Sequence, residues 1–140
     1  MAKAKAVKAP TRDAQRRVAL NKLRIEIGRQ DSAISEQLKD LNALKDVLQN
    51  KSDRSTAENK QLINLMIKIG DLQNTRTNLR VAYLNGIAKI VDLSGLIGTL
   101  RGISDQMETE AQRIEDSAAA IRTAGKIVNL GTRAIGAIGE

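Results

Sequence analysis

One seven-residue ladder constrains this chain more than any other feature. Leu65, Leu72, Leu79, Gly86, Leu93, Leu100, Met107, Ile114, Ile121, Val128 and Ile135 stand seven apart, and all but the glycine are large and apolar. A repeat of seven kept in phase marks one stripe along an α-helix and favours left-handed supercoiling with a partner helix. It does not suit strands, whose side chains alternate with period two. The spacing predicts one long helix over 58–140. Such a stripe needs a cover, so its ten apolar rungs are the expected oligomer interface.

The companion seam, three residues earlier, changes character along the chain. Leu62, Ile69, Tyr83, Ile90 and Ile97 are large, with Arg76 interrupting them. Ser104, Ala111, Ala118, Gly125, Thr132 and Gly139 are small. Small residues let helix backbones approach closely, so these six form an expected close-packing seam. Nine of the ten glycines lie beyond residue 69, and each costs about 1 kcal/mol against alanine inside a helix. Gly95, Gly98 and Gly102 leave two readings open at 94–102: a hinge or break that folds the chain into three helices, or an unbroken helix whose glycine face receives a neighbour.

The first helical pattern is shorter. Leu20, Ile27, Ile34, Leu41 and Leu48 form a heptad seam, while Arg24, Asp31 and Lys45 interrupt the companion positions. Thr11 after Pro10 is an expected N-cap. These features define an amphipathic helix over 11–50, followed by a polar turn at 51–57. There Ser55-x-x-Glu58 reads as a capping box for the next helix.

Charge divides the chain differently. Residues 1–29 carry nine Lys/Arg against Asp13 and Glu26, whereas the remainder is balanced at 14 basic and 14 acidic side chains. The net charge of +7 therefore belongs to the N-terminal arm. Residues 1–10 read as a flexible basic arm. Lys3, Lys5, Lys8, Arg12, Arg16 and Arg17 are its candidate contacts to nucleic acid or an acidic protein surface, and a solvated tail is the plain alternative. The arm has no aromatic side chain for base stacking, so nucleic-acid contact would be phosphate-driven and salt-sensitive.

Several chemistries find no foothold. With no Cys and no His, the chain has neither thiolate nucleophile, Cys/His metal site nor imidazole acid–base group. The glycine-rich 95–102 stretch matches neither a dinucleotide fingerprint nor a P-loop. Asp105, Glu108, Glu110, Glu115 and Asp116 lack the loop spacing of a calcium site and read as a solvated face paired with Arg101 and Arg113. No cofactor and no metal are expected. Neither a signal peptide nor a membrane-spanning helix is legible, which points to synthesis in the cytoplasm.

The expected fold is all-α: a long helical hairpin or extended coiled coil, oligomeric, with a flexible basic N-terminal arm. The expected function is a non-enzymatic structural coiled-coil subunit of a self-assembling particle. Phage virion, tail or ejection components and secretion-apparatus rods are particles of that class. Its partners are then itself and other subunits of the assembly. Two alternatives stay open. Residues 117–139 place Arg122, Lys126 and Arg133 opposite Ile121, Val128, Ile135 and Ile138, which suits a membrane-active helix. The basic arm suits a nucleic-acid packaging protein.

Overall fold

A computed structural model describes residues 11–86, 93–112 and 116–139 of the chain. Four helices occupy them: α1 (Arg12–Gln49), α2 (Thr56–Gly86), α3 (Leu93–Ala111) and α4 (Ser117–Gly139). Local chemistry sets several of the ends. Thr11 adopts an extended backbone, and its hydroxyl accepts from the Ala14 amide at 3.1 Å, capping α1. The capping box forms in both directions: Glu58 N–H donates to Ser55 Oγ and Ser55 N–H to Glu58 Oε1, each at 3.1 Å. Arg54 closes the other side of the turn. Its Nη1 donates to the carbonyls of Leu48, Gln49 and Lys51 at 3.1–3.2 Å, satisfying orphan acceptors at the end of α1.

The helices surround one core in the order α1, α2, α4, α3, with α1 also touching α4 across the diagonal. Asp31 meets Arg76, while Lys51, just past the end of α1, meets Glu58 at the start of α2, so α1 and α2 run antiparallel. Glu110 meets Lys126 and Met107 lies near Gly131, so α3 and α4 do too. Between these two hairpins the neighbours are parallel. Glu26 faces Arg101 while Arg29 faces Glu108, and Lys68 lies by Gly125 while Gly86 lies by Ile138. The fold is a four-helix bundle built from two docked αα-hairpins. Helices α1 and α2, at 38 and 31 residues, outlast α3 and α4, at 19 and 23.

This overturns the single helix expected over 58–140. In an unbroken helix Thr75 and Gly131 would stand about 84 Å apart at 1.5 Å per residue, yet the two residues touch. The rungs Leu65, Leu72, Leu79, Leu93, Leu100 and Met107 are buried in the chain's own core. Ile121, Val128 and Ile135 are half-buried at its edge, and Ile114 lies outside the described residues. The six buried rungs thus form an intramolecular seam. Period seven fixes which face of a helix is apolar, and here the chain covers that face by folding back on itself.

The close-packing seam is corrected as well. Ser104 is buried, Ala111 and Gly125 are half-buried, and Ala118, Thr132 and Gly139 are exposed. In α4 the buried set is instead Ala120, Thr123, Ala124, Ile127, Leu130, Gly131, Ala134 and Ile138. The ladder carried over from α3 would have buried Ile121, Val128 and Ile135. The observed phase is one residue earlier, a rotation of about 100°, because α3 and α4 are separate helices whose registers are set independently. Nor is there a hinge at 94–102, since α3 is helical throughout. The space outside Gly98 and Gly102 is open.

Glycines facing a neighbour and glycines facing open space should respond oppositely to alanine. A Cβ on Gly131 would collide with the Thr75 methyl, so Gly131→Ala is expected to lower stability by about 1–3 kcal/mol through overpacking. Gly98→Ala should raise it by up to about 1 kcal/mol through helix propensity. Chemical denaturation of the two variants beside the wild type measures both.

Candidate interaction surfaces

Polar groups that interrupt the seams fasten the helices to one another. Asp31 in α1 accepts from Arg76 Nε at 2.8 Å and Nη2 at 3.1 Å, and from Arg80 Nε at 3.0 Å. Two residues that break separate apolar seams are therefore each other's partner across the α1–α2 hairpin. Arg29 bridges α1 to α3. It donates to Glu108 Oε1 at 2.7 Å, Asp105 Oδ1 at 2.6 Å and, on its own helix, Glu26 Oε1 at 2.8 Å. Arg76 holds the Asp31 carboxyl below its ordinary value of 3.8, and Arg29 holds Glu108 below 4.5. In return Glu108 and then Asp105 push the Arg29 guanidinium further from deprotonation.

The acidic residues of α3 are thus structural partners. Asp105 and Glu108 serve Arg29, while Arg101 reaches Glu26 at 3.7 Å instead of its own cluster. Glu110 pairs with Lys126 at 3.7 Å, and Asp116 caps α4 by accepting from Ala119 N–H at 2.7 Å. Glu115 and Arg113 lie outside the described residues. Among the described residues no group of acidic side chains is gathered as a metal site.

Deeper in the core, α1 carries a polar pair with no counterpart in the expectations above. Gln30 Nε2 donates to the Leu100 carbonyl at 3.1 Å and Ser104 Oγ at 3.2 Å, and Gln37 Nε2 to the Ala120 carbonyl at 3.2 Å. Both side chains are fully buried, and both Oε1 atoms are without a partner among the described residues. The signal for them was present in the sequence: Leu23, Gln30, Gln37 and Leu44 stand seven apart. This seam, and not the Arg24–Asp31–Lys45 one, accompanies Ile27, Ile34, Leu41 and Leu48 into the core.

The basic positions divide. Arg12 and Arg17 are exposed near the start of α1, Arg16 is half-buried, and Lys3, Lys5 and Lys8 lie outside the described residues. On α4, Arg122, Lys126 and Arg133 are exposed, whereas Ile138 is buried and Ile121, Val128 and Ile135 pack at the core's edge. The apolar side of α4 is therefore occupied within the chain. Among the described residues, no helix is long and apolar enough to cross a membrane.

Among the described residues, the largest group of exposed apolar side chains lies on α2. Ile63, Met66, Ile67, Val81 and Leu84 are each between 48% and 69% exposed. Leu65, Ile69, Leu72, Thr75 and Leu79 fill the core from the same helix. At 100° per residue the exposed set lies within one arc of about 100°, opposite the buried set. Gly70, Asn74 and Thr77 continue that arc between its two apolar ends. Val47, at the far end of α1, and Val18 and Ile25, near its start, are exposed singly. No protein-family model matches this chain, and no curated protein or solved structure matches it.

Two outcomes follow from the polar fasteners. Asp31 and Glu108 ionise at lower pH in the fold than in the unfolded chain. The stability they contribute is complete above their ordinary values and lost as pH falls through the lower folded ones. Asp31→Asn should cost up to about 1 kcal/mol at neutral pH. In denaturation curves taken down to about pH 2, the gap from wild type should close. Gln37→Leu removes a buried unpaired carbonyl at nearly constant volume, so it should raise stability by about 1 kcal/mol in the same assay.

Proposed function

We propose that the protein is a non-enzymatic structural subunit of a self-assembling particle, with the outer face of α2 as its contact to further copies. One observation carries this reading: a bundle whose ladder leucines are enclosed still leaves five large apolar side chains on one helix face. A soluble monomer rarely keeps such a patch without an interaction that uses it. The polar fasteners support the same reading, because Asp31 with Arg76 and Arg29 with Glu108 hold α2 and α3 firmly on α1. A rigid bundle presenting a stiff apolar stripe suits a component of a virion, a tail, an ejection device or a secretion rod.

Contact with nucleic acid is a second reading, favoured by Arg12 and Arg17. They are exposed at the end of α1 where the basic arm joins. That role would add phosphate binding to the same subunit. The membrane-active alternative would require α4 to leave the core and uncover Ala124, Ile127 and Gly131.

Self-assembly is measured by light scattering across a concentration series. The mass should rise above that of one chain in the micromolar range, and Ile63→Glu with Ile67→Glu should return it to the monomer while circular dichroism stays unchanged. A wild-type chain that remains monomeric at every concentration removes the reading.

A further inference from the structure

Four of the five exposed apolar residues of α2 pair off about one midpoint, and the fifth, Ile67, has Arg80 as its counterpart. Ile63 and Leu84 stand equally far from the point between Gln73 and Asn74, as do Met66 and Val81, and Gly70 and Thr77. The apolar residues gather at the two ends, and the centre is small and polar. A closed two-fold interface has this form, because in it residue i meets j while j meets i. We propose that two copies of the chain pair α2 against α2, antiparallel, about a two-fold axis passing between Gln73 and Asn74. The proposal rests on the reading of the chain as a self-assembling subunit and names the geometry of its first contact.

Three further features of the face fit a second copy. None of Ile63, Met66, Ile67, Gly70, Asn74, Thr77, Val81 and Leu84 is charged, so two chains of net charge +7 meet along a line free of like-charge contact. On one flank Arg76 and Arg80 are drawn to Asp31 of their own chain at 2.8 and 2.9 Å, and on the other Lys60 stands one turn before Ile63. Gly70 has open space where a Cβ would be, and antiparallel pairing sets it opposite the partner's Thr77, where the lack of a side chain permits close approach. At the ends, Ile63 packs on the partner's Leu84 and Met66 on the partner's Val81. The stripe is about 32 Å long. One helix per subunit buries less than the roughly 800 Å² per partner of a standard interface, so the pair is a dissociable one.

The chain has no cysteine, which makes disulfide trapping a direct test. Asn74→Cys places two thiols beside the axis, within the Cα separation a disulfide spans. Under mild oxidation this variant should run almost entirely as a covalent dimer. Ile63→Cys alone should not, because the two copies of that position lie about 31 Å apart in the antiparallel pair. Mixing the Ile63→Cys and Leu84→Cys chains should give the mixed dimer in preference to either homodimer. Every substituted position is exposed, and circular dichroism verifies that each variant folds.

Efficient homodimers of Ile63→Cys would mean parallel pairing and overturn the proposal. A wild type that is multimeric by light scattering, with no linkage at Asn74→Cys, would also overturn it while leaving self-assembly intact. A monomeric wild type with no linkage at any position would remove both.

Discussion

How closely α4 can approach α2 governs the rest of the bundle. Gly131 lies against the Thr75 methyl so closely that no Cβ would fit, and the Thr75 hydroxyl is occupied by the Asp71 carbonyl at 2.8 Å. At the far end the position of a Cβ on Gly86 is 2.7 Å from the Ile138 side chain. The chain contains no Phe or Trp, so its core has little bulk with which to span a wide gap between helices. Close approach is how Leu, Ile and Ala fill the space. That approach fixes α2 and α4 in parallel, and with them the docking of one hairpin on the other.

The opposite side of the bundle, where α1 meets α3, is held by a different device. Gln30 with Ser104, and Arg29 with Glu108 and Asp105, join these helices through hydrogen bonds and ion pairs. Polar contacts have stricter geometry than apolar ones, so they fix which turn of α3 faces which turn of α1. Gln30 here carries a buried carbonyl oxygen left unpaired among the described residues, a penalty that a well-packed leucine would not incur. One interface thus contributes closeness and the other contributes register.

With both seams closed inside the chain, α2 is the helix whose outer surface stays apolar. Its inner residues, Leu65, Leu72 and Leu79, hold the core, while about half or more of each of Ile63, Met66, Ile67, Val81 and Leu84 stays exposed among the described residues. The helix has an apolar stripe on each of two opposite sides. The stronger seven-residue repeat marked the inner one. The outer stripe is interrupted at its centre by Gly70, Asn74 and Thr77, which is why a search for unbroken periodicity passes over it.

Features confined to a few consecutive residues were legible directly. Thr11 caps α1, and Ser55 with Glu58 caps α2, because capping is chemistry within three residues. The heptads likewise identified helices and most of the buried leucines and isoleucines. Three other things required the tertiary structure. The pairing of Asp31 with Arg76 exists only once α1 and α2 form an antiparallel hairpin. The phase of α4 is set by what it docks against, so Gly131 and Ala134 face inward where Ile135 had the stronger apolar claim. The placement of the ladder inside one chain depends on where the helices end. Sequence by itself determined that this protein is helical and which faces are apolar, because periodicity is a local property of the chain. What covers those faces is a choice between partners distant in sequence or in another molecule, and only the folded arrangement decided it.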